Sequence, residues 1–179
     1  MRIKLGFVGL CLTVPLLANA QQSSNPQREK TNGSPMVCPM HDSGSAAAMN
    51  ERAEQGMGFS QTATTHHFLM KSDGGVIQVE VKNPADIADR DRIRQHLAHI
   101  AQAFGHGDFD IPMFVHDTLP PGVTDMKRLR QKMRYSFEET PGGGRVVIAT
   151  ADQQAITAIH RFLQFQIKKH KTGDPIEVR

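Results

Sequence analysis

Cysteine is nearly absent from this chain. There are two in 179 residues, and Cys11 lies in an N-terminal stretch that reads as a cleaved leader. Cys38 is then the only mature thiol, so an intrachain disulfide is excluded and stability must come from an ordinary core. A lone cysteine in an exported protein points to intermolecular pairing, a reactive thiol or a metal ligand. Excess charge is also missing. Of the 21 Lys and Arg residues two, Arg2 and Lys4, fall in the leader, which leaves 19 against 18 acidic residues. A nucleic-acid partner needs a clustered basic face, and none is expected here. Beyond the leader no apolar run approaches membrane-spanning length. Catalytic signatures are absent as well: there is no H-E-x-x-H, no G-x-S-x-G, no phosphate loop with Lys and no C-x-x-C-H. "PGGGR" at 141–145 reads as a hairpin turn, and the sequence leaves open whether the protein is an enzyme.

What is present begins with that leader. Arg2 and Lys4 precede an apolar run from Leu5 to Ala18, and Ala18-Asn19-Ala20 has the small-x-small form of a cleavage site. Residues 1–20 therefore read as a secretory signal peptide, which predicts a periplasmic or secreted protein with no membrane insertion after cleavage. Residues 21–63 are Gln, Ser, Asn, Gly and Ala with few branched apolar side chains. Such a composition buries too little surface to offset its ordering entropy and predicts a flexible arm.

Residues 64–179 have the size and periodicity of one domain. "TTHHFLMKSDGGVIQVEVK" predicts a hairpin turning at Asp73-Gly74, with His66, Phe68 and Met70 on the face of Ile77, Val79 and Val81. Asn83-Pro84 predicts a helix start, and Ile93, Leu97, Ile100 and Phe104 form its apolar stripe, ended by Gly105 and Gly107. A loop-rich middle and a short basic helix around Met126 to Lys132 follow. A second hairpin spans Tyr135 to Thr150, and a second long helix runs from Ala151 to about His170. The order is ββα twice. It predicts an α+β fold, a four-stranded antiparallel sheet with two helices on one face, and the likeness of the halves reads either as an internal duplication or as coincidence between two generic ββα units. Phe162 and Phe165 fall off the stripe of the second helix, so they pack under the middle loop or form a homodimer or protein-partner face.

Two sets of residues carry metal-ligand chemistry. In the arm, Cys38, Met40 and His41 place a thiol, a thioether and an imidazole within four positions, a soft set that favours Cu(I). In the domain, His66 faces the helices, His96 and His99 are neighbours on the first helix, and His116 lies in the middle segment. Imidazoles suit copper, zinc and iron alike. The four form a site only if they converge; otherwise each is a separate packing or surface histidine.

The run Cys38-Pro39-Met40-His41 resembles the heavy-metal-binding segment of copper and silver efflux adaptors and some metal-pumping ATPases. Asp42 stands where that pattern usually continues with Pro. The core stretches "THHFLMKSDGGVIQVEV", "IRQHLAHIAQAFGHGDFDIPMFVHDTLPPGV", "GGRVVIAT" and "AIHRFLQFQIKKHKTGD" resemble a group of small exported bacterial proteins of unknown biochemical role. Members of that group sometimes carry the label aspartate carbamoyltransferase, but this chain lacks that enzyme's Ser-Thr-Arg phosphate loop. The resemblances imply an exported setting and a metal ion as partner. Copper comes first as the ligand, with zinc or iron next. A small metal-dependent enzyme and a metal-free interaction module are the alternative readings.

Overall fold

The computed structural model describes residues 46–178 and is an α+β fold with a four-stranded antiparallel sheet and five helices. Residues 1–45, which hold the expected leader and most of the expected arm, and with them Cys38, Met40 and His41, lie outside the described residues. The chain runs α1 (Ala46–Met57), β1 (Thr64–Lys71), β2 (Gly74–Val81), α2 (Ile87–His106), α3 (Asp110–His116) and α4 (Val123–Arg128). After a 3-10 turn at Arg130–Lys132 come β3 (Arg134–Thr140), β4 (Gly143–Ala149) and α5 (Gln153–His170). The strand order is β1-β2-β4-β3, two hairpins side by side with their inner strands paired.

The first hairpin closes on Ser72 and Asp73, with Lys71 opposite Gly74. That is one position earlier than the Asp73-Gly74 turn the sequence suggests, and neither central residue has positive φ. Gly74 is required for another reason. Its φ is 145°, and a Cβ there would lie 2.0 Å from the Ile148 carbonyl oxygen of β4, so it permits a close backbone approach. The altered turn moves the register by an even step, so the faces stay as the alternation predicts. Phe68, Met70, Ile77, Val79, Val146 and Ile148 all point into one core.

Helices α2 and α5 cover that face. The stripe Ile93, Leu97, Ile100 and Phe104 of α2 is buried, as are Ile156, Ile159, Leu163 and Ile167 of α5. Asp86 rather than Asn83 caps α2, its Oδ1 accepting from Asp89 N at 3.0 Å, while Asn83 Oδ1 makes the turn just before it by accepting from Ala85 N. Gly105 stays helical and Gly107, at φ 82°, ends the helix. The helices are exchanged between the halves: α5 lies on β1 and β2, and α2 chiefly on β3 and β4.

Three further expectations change. Residues 46–57, assigned by composition to the flexible arm, form α1. Ala, Met, Glu, Gln and Arg are strong helix formers, and Met49 and Ala53 pack on Val115 of α3 in a small cluster of their own. The middle segment is largely helical, with α3 and α4 packed on the main body. Phe162 is buried against Phe104 and Phe109, with ring centroids at 5.9 and 6.1 Å. It belongs to the core and offers nothing to a partner, because the middle segment closes over it. Only Phe165 remains half-exposed, edge-on to His116 at 4.9 Å with Lys169 Nζ above it. Among the described residues no helix is long and apolar enough to cross a membrane.

Candidate functional site

Strand alternation, helix phase and the short helix α3 bring histidines together at one place. His66 points from β1 toward the helices, His96 flanks the buried stripe of α2, His116 ends α3 and His170 ends α5. All four line one cavity of about 70 Å³ with Met57, Ile111, Val115, Phe162 and other apolar side chains. His99 is not among them. It is exposed and lines a separate pocket of about 10 Å³ with Asp108.

Three of the rings form a group around His170. The His66 and His170 centroids lie 5.7 Å apart with the planes 13° from parallel, and His116 meets His170 edge-on at 5.1 Å. His96 adjoins the group through Phe59, whose ring stacks on His66 at 6.2 Å and meets His96 at 5.6 Å.

Hydrogen bonds fix the tautomers of two rings, given the assigned amide orientations. His116 Nε2 donates to Gln166 Oε1 at 2.7 Å, which leaves Nδ1 as a lone pair that is buried without a partner. His170 Nδ1 donates to Gln61 Oε1 at 3.3 Å, which leaves its Nε2 as the lone pair. His66 Nε2 is also buried without a partner. Nitrogens of this kind are rare in folded proteins and call for an occupant such as water or an ion.

The imidazoles are held neutral. Burial, followed by the neighbouring His67 and Lys82, lowers the His66 pKa to about 4. Burial, His99 and His66 lower His96 to about 4. Burial, His66 and His116 lower His170 to about 3. Burial also lowers His116, against the opposing effect of its hydrogen bond to Gln166. Neutral imidazole is the form that ligates a metal. Rings that share one ion at about 2.0–2.1 Å metal–nitrogen distance have centroids about 5 Å apart, close to the spacings here. Their nitrogens are not yet aimed at one point. Among the described residues no three His, Cys, Asp or Glu side chains stand close enough to hold a metal ion. Convergence requires the rings to turn.

Sequence reasoning singled out His66, His96 and His116 but not His170, Gln61, Phe59 or Gln166. The signal for His170 was its place three residues after Ile167 on the buried stripe of α5. That α5 crosses β1 is a tertiary fact no local pattern carries. His160, also on α5, serves the fold: its Nε2 donates to the Lys71 and Gly74 carbonyls at 2.9 and 3.1 Å.

No protein-family model matches this chain, and no curated protein or solved structure is significantly similar to it.

Proposed function

We propose that the mature chain is an exported transition-metal-binding protein, copper first and zinc or iron next, that holds its ion on the imidazoles of His66, His116 and His170. One observation carries this reading: the rings group around His170 while, among the described residues, His66 Nε2 and His116 Nδ1 are buried with no partner. Side-chain rotations that turn these nitrogens toward a common point would complete the site. The Cys38, Met40 and His41 clasp of the arm supplies a second, softer donor set, suited to Cu(I). Binding or handling is favoured over catalysis because, among the described residues, no carboxylate lines the cavity to act as a general acid or base. A metal-dependent enzyme is the second reading. The adjoining cavity would leave room for water on the ion, as catalytic sites require.

Native mass spectrometry of the mature chain, titrated with Cu(I) and with Zn(II) under reducing conditions, tests the proposal. The expected result is stoichiometric uptake, with one equivalent lost in a His66→Gln, His116→Gln variant. Cys38→Ser with Met40→Leu should weaken Cu(I) binding far more than Zn(II) binding. Absence of uptake, or uptake indifferent to both pairs of substitutions, overturns it.

A further inference from the structure

The two edges of the sheet are finished differently. At β1 the edge is occupied, because Phe68 N donates to Asp174 Oδ2 at 2.9 Å. At β3, the other edge, the main-chain groups that face outward follow from the ladder. Val81 N donates to Gly142 O at 2.9 Å and Thr150 N to Asp73 O at 2.8 Å. Alternation then gives the even positions of β4 to β2 and the odd ones to β3. Those odd positions pair with Arg134, Ser136, Glu138 and Thr140. Tyr135 and Phe137 therefore turn their N–H and C=O groups toward the free edge, and among the described residues no loop or side chain bonds to them. The strand has no Pro, Lys or bulge, the usual means of blunting an edge. Arg134, Ser136 and Glu138 are exposed, and Tyr135 and Phe137 are half-buried.

We propose that two copies of the chain pair their β3 strands antiparallel about a two-fold axis through Ser136, joining two sheets of four strands into one of eight. An axis normal to the sheet keeps every side chain on its own face, so only positions of like parity meet. Centring it on Ser136 sets Tyr135 opposite Phe137 of the second copy and Arg134 opposite Glu138 of the second copy. The Tyr135 and Phe137 pairs exchange the free main-chain hydrogen bonds. The Arg134 and Glu138 pairs fall at the non-hydrogen-bonded positions, where facing side chains come closest. By symmetry this match occurs at both ends of the strand. Glu138 Oε2 already accepts from Arg145 Nε of β4 at 2.8 Å. Arg134 has no ion-pair partner among the described residues, and pairing supplies one. Moving the axis to Tyr135 or Phe137 would set Arg134 against Ser136 or Thr140, so charge selects the register. Edge pairing buries less than the roughly 1,200 Å² of a tight complex, which makes the dimer concentration-dependent. The imidazole cavities lie by β1, at the far ends of the joined sheet, and the inference does not rest on them.

The test is sedimentation equilibrium of the mature chain from about 1 µM to about 1 mM, with reductant to prevent pairing through Cys38 and chelator to prevent bridging by metal. A monomer–dimer equilibrium is expected. Arg134→Glu alone and Glu138→Arg alone should each weaken association by about tenfold or more, because each sets like charges opposite one another twice. Mixed in equal amounts the two variants should associate again, since each offers the charge the other lacks. Arg161→Glu, exposed on α5, should leave association unchanged. Glu138→Arg also gives up the bond to Arg145, so amide exchange on the unmodified chain supplies an independent reading. Exchange at Tyr135 and Phe137 should slow as concentration rises, while Ser136, already bonded to β4, should change little. A monomer at every concentration, association indifferent to both reversals, folded variants that stay apart when mixed, or Tyr135 and Phe137 amides that gain no protection each overturns the proposal.

Discussion

The two ββα halves are built alike and finished differently. In the first hairpin the Lys71 and Gly74 carbonyls accept hydrogen bonds from His160 of α5, at 2.9 and 3.1 Å. In the second, the Thr140 and Gly143 carbonyls accept from Arg94 of α2, at 2.9 and 3.1 Å. Each half's helix thus clasps the other half's turn. A Cβ on Gly74 would lie 2.0 Å from Ile148 O, and one on Gly143 would lie 2.3 Å from Val79 O. Phe68 and Phe137 occupy matching strand positions. At the next matching position the halves part. The first has His66 against His170, and the second has Tyr135 against Phe104, with centroids 6.0 Å apart and planes at 81°. The Tyr135 hydroxyl donates to Met133 Sδ at 3.4 Å, and burial pushes its pKa up. One end is sealed with aromatic rings. The other keeps imidazoles, to which α3 adds His116, and among the described residues His66 Nε2 and His116 Nδ1 are buried without a partner. A repeated fold carries its chemistry where the repetition breaks.

Acid should separate the two ends most sharply. A histidine held at about 4 in the folded chain protonates near its ordinary 6.5 when unfolded, so the unfolded state gains protons first. Stability is therefore lost as pH falls from about 6.5 to 4, by about 3 kcal/mol each from His66 and His96. His170 extends the loss to about 3. Copying the aromatic end into the imidazole end, with His66→Tyr and His170→Phe, should move the acid-unfolding midpoint downward, measured by circular dichroism. An unchanged midpoint would show that the cluster does not govern acid stability.

Next in size are the paired glycines. Gly74→Ala and Gly143→Ala should each cost about 2–4 kcal/mol, because a methyl group would collide with backbone rather than with a side chain that can yield. Urea unfolding should find the two losses similar. A clear inequality would break the equivalence of the halves at their inner strands.

The clasps should differ by less. Arg94→Ala loses two charge-assisted hydrogen bonds and an ion pair to Glu139 at 3.1 Å, a loss of about 2 kcal/mol. His160→Ala loses one shared N–H and should cost about 1 kcal/mol. Reversal of that order in chemical denaturation would show that the imidazole is the stronger clasp.

The smallest effect concerns the edge of β1. Asp174 accepts from Phe68 N at 2.9 Å, His67 Nδ1 at 2.9 Å and Thr172 Oγ1 at 2.7 Å, strapping the C-terminal segment over a strand edge that would otherwise invite pairing. Asp174→Asn should cost about 1 kcal/mol and speed amide exchange at Phe68, measured by NMR. Unchanged exchange there would show that the strap does not hold the edge.

Much of this was legible locally. Alternation in Phe68, Met70, Ile77 and Val79 placed His66 on the covered face even though the turn was misplaced by one residue, because the register moved by an even step. The α2 stripe placed His96 beside the core. Helix α1 was not legible, because its few apolar residues, Met49 and Ala53, matter only against Val115 of α3. His170 was visible as a flank of the α5 stripe, yet its neighbours come from β1 and α3, far away in sequence.

Taken alone, the sequence determined the ββα order, the inward face of each strand and the buried stripe of each helix, because periodicity is a property of neighbouring residues and needs no partner. Only the tertiary structure decided that α5 lies on the first hairpin and α2 chiefly on the second. That exchange brings His66, His116 and His170 to one cavity and leaves His99 outside it. Periodicity says which way a side chain points. Which other chain segment it meets depends on how the elements cross, and that is set by the packing of the whole core.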